Sequence, residues 1–299
     1  MLGGVLIGRG HPDPVRPLPV RLYAVGVLPA GGVVSGGSLW IADESGAVVR
    51  IDRATGRATA RIRIAGNPTA IAAGPGGVWV RADDPHSDLG THLFRIDPDR
   101  DRVTESVALG GGSGVAAGAG AVWAPRRFTM PERIERIDAT TGRARRPVGV
   151  ATVNEVGVHG GTLWALTNNG TLARIDTASG RVVRRWPGLG LYQSTMVADD
   201  GGVWVLSPAR GELIRVTADG IASRFPVTAA GGSLIARARD GLWIATGDAL
   251  RARYRLSRID PRTGRATAAI ALRHHPLALV PDGDVLWALT SDGFAVRVG

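Results

Sequence analysis

Seven tryptophans sit at one place in a recurring phrase: Trp40, Trp79, Trp123, Trp164, Trp204, Trp243 and Trp287, separated by 39, 44, 41, 40, 39 and 44 residues. Only Trp186 stands outside the series. A Gly-bearing turn precedes each of the seven, as at Gly36-Gly37, Gly76-Gly77, Gly160-Gly161 and Gly201-Gly202, and a short apolar stretch such as Ala70 to Ala73 precedes the turn. After each Trp comes a second hairpin arm. It reads Arg-Ile-Asp at Arg50-Ile51-Asp52, Arg95-Ile96-Asp97, Arg136-Ile137-Asp138, Arg174-Ile175-Asp176 and Arg258-Ile259-Asp260, and degenerates to Arg215-Val216 and Arg297-Val298. In four units a Thr-Gly-Arg or Ser-Gly-Arg turn (Thr55, Thr141, Ser179, Thr263) then opens a fourth strand.

A period near 40 residues with four short strands per unit defines an all-β, seven-bladed β-propeller, in which each blade hides its faces only against its neighbours. Helical solenoids of similar period are excluded, because turns every ten residues or so leave no room for a helix of ordinary length. The recurring Trp is expected to pack between blades. The last unit supplies strands near Leu277 to Val280, Val285 to Leu289 and Phe294 to Val298, and ends without an outer strand. Val20 to Leu28 lies ahead of the first unit and is expected to supply it, closing the ring and removing open edges. One domain over residues 20–299 follows, with residues 1–19 a flexible leader or the remnant of an anchor; a monomer is expected.

Composition adds exclusions. Cys is absent, so disulfides, thiolate nucleophiles and Cys-ligated zinc are ruled out. No run approaches the roughly 18 apolar residues of a membrane span. The net charge of +10 would suggest a polyanionic partner, yet all 36 basic residues are Arg and none is Lys, the mark of a compositional bias. With aromatics at 5% and about half of them the repeat tryptophans, stacking on nucleic acid is disfavoured.

The phrase Gly-Gly-x-x-Trp, followed by Arg-Ile-Asp and a Thr-Gly turn, resembles the seven-bladed propellers of the YVTN and NHL type, especially the streptogramin (virginiamycin B) lyase-like branch. The resemblance covers Val20 to Gly299. Such propellers include lyases, lactonases and plain binding platforms, so it implies fold more than activity. Active lyases of the branch place Glu three residues after the blade Trp and pair a Glu with a His from adjacent blades. Here that position holds Asp43, Ala82, Arg126, Thr167, Ser207, Thr246 and Thr290, and no Glu-x-His phrase occurs.

Three loops between second and third strands are extended, with 17, 14 and 16 residues from Trp79, Trp123 and Trp243 to the third-strand motif against 11 or 12 elsewhere. Long loops on a rigid scaffold are where function concentrates. They carry Asp83, Asp84, His86, Asp88 and His92; Arg126, Arg127, Phe128 and Met130; and Asp248, Arg251, Arg253 and Tyr254. Asp83, His86, Arg126, Arg127, Arg251, Arg253 and Tyr254 are expected to border a ligand pocket, with Glu155 and His275 nearer its floor. Residues before the inner strands, including Asn67, Ser113, Asn154, Glu155, Gln193, Ser233, His274 and His275, should ring the channel mouth, and the opposite face should be featureless.

The leading expectation is a non-enzymatic platform binding a small molecule or protein at the mouth, as a sensory or extracytoplasmic part of a bacterial protein; compartment otherwise stays open. The alternative is a lyase or lactonase with Glu155, His275 and Glu44 as catalytic candidates. For that alternative Glu155, Asn154 and Asn67 are candidate ligands of one divalent cation, which gluconolactonase-type propellers hold in the same region; the cofactor otherwise stays open.

Overall fold

The computed structural model describes residues 18–87, 90–128, 130–190, 194–227, 234–248 and 251–299. Asp88, Gln193 and Ser233, named above, lie outside the described residues. Seven four-stranded antiparallel sheets follow one another along the chain, and blades 1 to 7 are numbered here by the order of their repeat tryptophans. The inner strands touch in ring order, and that of blade 7 (Pro276–Asp282) meets that of blade 1 (Pro29–Ser35). The chain is a seven-bladed β-propeller. Outside the strands, the described residues form one short 3-10 turn, Pro208–Arg210. Among them no helix is long and apolar enough to cross a membrane.

The repeated phrase is accounted for residue by residue. The seven tryptophans are 0 to 3% exposed and join cores shared by adjacent blades: Trp40, Val48 and Ile62 of blade 1 pack with Val78, Val80 and Phe94 of blade 2. Burial of such an aromatic is among the largest single hydrophobic contributions available to a blade. Each Trp is paired across the ladder with the motif Arg of its own blade, from Trp40 with Arg50 to Trp287 with Arg297. In five blades that guanidinium lies 5.0 to 5.9 Å from the Trp ring centroid, a cation–π contact at the rim of the interface. Blade 4 differs: Trp164 packs against Trp186 at 5.7 Å, which explains the one Trp outside the series.

The motif Asp builds the following turn. Asp52, Asp138 and Asp176 each accept the amide and hydroxyl of Thr55, Thr141 and Ser179 at 2.5 to 3.0 Å, as Asx turns do. These bonds pull the Asp138 carboxyl down to about 2. The next Gly is required twice over. Gly56, Gly142 and Gly264 have φ of +69°, +67° and +68°, and a Cβ on each would collide with a side chain of the preceding blade, respectively Tyr23, Glu105 and Phe225. Each turn is thus also a socket for the neighbouring blade.

Closure follows the expected route with a shorter strand. Val20–Ala24 pairs antiparallel with Phe294–Val298, from Val20 with Val298 to Ala24 with Phe294, and completes blade 7. The strand stops before Leu28 because Gly26 turns left-handed (φ +63°) and the amides of Val25 and Gly26 both donate to the Gly293 carbonyl at 2.9 and 3.0 Å. The segment is then clasped to blade 1, where the Leu28 amide donates to Asp43 Oδ1 at 3.3 Å.

Candidate functional site

Inner strands begin on the face where second strands end, as Asn67 opposite Asp83 and Pro276 opposite Thr290 show. The extended loops and the channel mouth therefore share one face. In four blades the inner strand starts with a register shift, at Pro29/Gly31, Pro68/Ala70, Val153/Glu155 and Pro276/Ala278. Glu155 stands opposite the residue two after the blade Trp, a position held in other blades by Gly31, Ala70, Thr195, Leu234 and Ala278. A single acid thus occupies a layer of small and apolar residues.

Glu155 reaches into blade 5. Its Oε1 accepts the Thr195 hydroxyl at 3.1 Å and its Oε2 the Met196 amide at 2.8 Å. Burial pushes the carboxyl up to about 7 against the opposing pull of these two bonds, since desolvation penalises the charged form. Asn154 is engaged elsewhere: its Oδ1 accepts from Arg127 Nη1 at 3.2 Å and its carbonyl from the Ser113 hydroxyl at 3.2 Å. Asn67 lies in blade 2 and shares a 430 Å³ cavity with Glu44, Ala30, Pro68 and Thr69. Glu155 and Asn154 thus already have protein partners, while Asn67 stands two blades away. Among the described residues no group of three His, Asp or Glu side chains is assembled in ligating geometry.

The residues expected around one pocket fall in three places. Asp83 and His86 belong to an extended hairpin of blade 2, where Asp83 still pairs with Thr91; burial raises the Asp83 carboxyl, with Arg81 opposing. His86 lines a 310 Å³ cavity with Ala65, Gly66, His92 and Phe94. In blade 3, Arg126 pairs with Glu135 at 3.4 Å, and Arg127 lies 4.8 Å from the Phe128 ring centroid. In blade 6, Arg251 pairs with Asp248 at 3.4 Å, while Arg253 and Tyr254 line a 620 Å³ cavity with Thr246, Arg255 and the outer-strand residues Ala269 to Leu272. In blades 2 and 6 the added residues partly lengthen the hairpin's own ladder, to Asp83 opposite Thr91 and Asp248 opposite Arg253, whereas in blade 3 they lie beyond it and Arg127 reaches Asn154. Of the floor residues, His275 stacks on Tyr254 (centroids 5.1 Å, 28° between planes), whereas Glu155 is held in the blade 4–5 boundary. His274 pairs with Asp292 at 3.1 Å.

Two features escaped the sequence reading. The opposite face is not featureless, because a 270 Å³ cavity there is lined by His159, Trp164, Arg174, Asp199 and Asp200. Arg81, two residues after Trp79, is 0% exposed. It donates to the carbonyls of Pro125 (2.7 Å) and Gly110 (2.8 Å) and to the Thr91 hydroxyl (3.1 Å), tying blade 2 to blade 3 beneath the mouth; burial lowers its pKa to about 10. A charged residue inside an otherwise apolar Val-x-Ala strand was the available signal.

Asp43 is the acid standing where the lyase-like branch carries Glu, and it is 2% exposed. Its carboxylate accepts from the Ser45 hydroxyl (2.6 Å) and amide (3.2 Å), from Arg61 (2.7 Å) and from the Leu28 amide. Burial pushes its pKa up, but these bonds together outweigh it and hold the carboxyl below its usual range.

Compared with known proteins, the sequence matches no family model and no curated relative. Among solved structures the chain is similar to Kuenenia stuttgartiensis hydrazine synthase, with a TM-score of 0.73 and 19% identity over 99% of both chains. At that identity the likeness shows the β-propeller fold alone.

Proposed function

We propose that this chain is a non-enzymatic binding platform of the YVTN/NHL type, related in its repeat to the streptogramin lyase-like branch, and that it holds a small ligand or a protein on the mouth face. The observation that carries this reading is the state of Asp43. The acid at the branch's catalytic position is buried and fully hydrogen-bonded as the clasp of the closing segment, so it serves the scaffold. The same face offers cavities of 620, 430 and 310 Å³, about the size of ordinary small-ligand clefts. Arg253 and Tyr254 border the first, Glu44 and Asn67 the second and His86 the third.

One observation favours a second reading, a lyase or lactonase. A Glu155 carboxyl near pH 7 is tuned for general-base work. Turnover of lactones and cyclic depsipeptides, followed in wild type and Glu155→Ala, separates the two. The platform reading expects no turnover in either protein, and ligand-induced shifts of NMR signals from Tyr254, Arg253 or Asn67. Turnover that disappears in Glu155→Ala establishes the enzyme instead.

A further inference from the structure

The closing strand differs from every outer strand it imitates. Outer strands present alternate side chains toward the preceding blade. At the position opposite the residue before the motif Arg, blades 1, 4 and 5 carry Arg61, Arg185 and Arg224, blade 2 carries Ser106 and blade 6 carries Ala269. The closing blade carries Leu22 there, opposite Val296. Leu22 is 58% exposed and Val20, on the same side of the strand, 45%. Large apolar groups thus stand in water where three other blades place guanidinium.

These side chains form one wall of a groove on the flank of the ring. Ile270 and Leu272 of blade 6 form the other, and with Phe294 and Val296 they enclose 290 Å³, close to the lower end of the roughly 300–1,000 Å³ of small-ligand clefts. The groove is the outward continuation of the core shared by blades 6 and 7. One end is polar and is lined by Arg273, His274, Thr290 and Asp292. Asp292 is already occupied, by His274 at 3.1 Å and by the Thr290 hydroxyl at 2.6 Å. The Arg273 guanidinium has no ion-pair or hydrogen-bond partner among the described residues, which leaves a cation at the end of an apolar slot.

We propose that this groove binds a small amphiphile of the alkyl carboxylate class, its tail between Leu22, Val20, Ile270 and Leu272 and its head on Arg273. Guanidinium suits a carboxylate because two parallel N–H donors match its two oxygens. Tail burial supplies affinity in proportion to chain length, about fourfold per methylene fully removed from water. The groove adjoins the 620 Å³ cavity beside Arg253 and Tyr254, with which it shares Ile270 and Leu272.

Isothermal titration of the full chain with octanoate, hexanoate, octan-1-ol and acetate tests the assignment. Octanoate should bind at one site, hexanoate about tenfold more weakly, octan-1-ol about tenfold more weakly for want of the charge-assisted bond, and acetate undetectably. Leu22→Arg installs the side chain that other blades carry and should retain the wild-type Tm and circular dichroism, yet weaken octanoate more than about tenfold. Arg273→Ser should bring octanoate down to octan-1-ol while leaving the alcohol unchanged. No octanoate binding at millimolar concentration, binding indifferent to Leu22→Arg, or equal affinity for acid and alcohol overturns the proposal. So does a sedimenting dimer that Leu22→Arg dissociates, which would make the groove an interface between copies.

Discussion

The Glu155 carboxylate accepts the Thr195 hydroxyl across the boundary between blades 4 and 5, at 3.1 Å. Because the folded protein raises this carboxyl from 4.5 to about 7, the native state binds more protons than the unfolded chain between those values. Stability from this group is therefore greatest at acid pH, falls as pH rises through 4.5 to 7, and is level above. The loss is on the order of 1–3 kcal/mol, allowing for water in the channel. Urea unfolding of wild type and Glu155→Gln at pH 5 and pH 8 checks it. The substitution should stabilise the protein at pH 8 relative to pH 5, and a pH-independent difference between the two proteins would contradict the shift.

Arg81→Met should destabilise the propeller by about 2 kcal/mol, because the Pro125 carbonyl loses its buried donor. Relief of guanidinium desolvation offsets part of the loss. Calorimetry should show a Tm lower by about 5 °C. Lys at this position should not restore it, since one ammonium cannot reproduce the fork that spans both blades. An unchanged Tm in Arg81→Met would show that the tie between blades 2 and 3 is dispensable.

The socket at Gly56 makes a separable prediction. Gly36→Ala, at a left-handed turn with open space around it (φ +55°), should cost about 1 kcal/mol in backbone strain alone. Gly56→Ala carries the same strain and also displaces Tyr23, so it should cost about 2 kcal/mol or more. In a Tyr23→Ala background the excess should vanish, which a double-mutant cycle measures directly. Equal costs in both backgrounds would mean that Tyr23 does not rest in the socket.

Truncation probes the closure. Removing residues 1–17 should leave Tm within about 2 °C, as the strand and its approach through Leu18 remain. Removing residues 1–24 strips the partner of Phe294–Val298 and exposes an edge strand. That protein should unfold at lower temperature and form aggregates visible by light scattering, and equal behaviour of the two truncations would refute the joint.

Repeat spacing and turn chemistry were enough to read the ring, its blade number and the destination of the N-terminal strand, because blade geometry is dictated by local turns and by the burial of one Trp per unit. Contacts between units were harder to read. That Arg50 lies over Trp40 depends on ladder register, and that Gly142 receives Glu105 depends on the angle between blades, neither of which a period carries. At the mouth, loop length identified where residues were added but not where they lead. Arg253 and Tyr254 extend a hairpin along blade 6, so two side chains expected over the channel line the ring's outer part. Glu155 was legible as an acid at an unusual place, while its partner Thr195 lies a full blade away.

The joint between Val20 and Val298 also sets the order in which this molecule can become complete. The strand that seals the ring leaves the ribosome ahead of every blade, and the strand that receives it leaves after all the other strands of the propeller. Until then Leu22 and Val20 have no ladder to join, and the chain must carry an unpaired apolar segment while blades 1 to 6 are made. Bringing these ends together costs loop entropy that grows only slowly with the length between them, but such distant pairing slows the final step. The nascent chain is therefore most exposed to association with other copies in the interval between the emergence of Val20–Ala24 and that of Phe294–Val298.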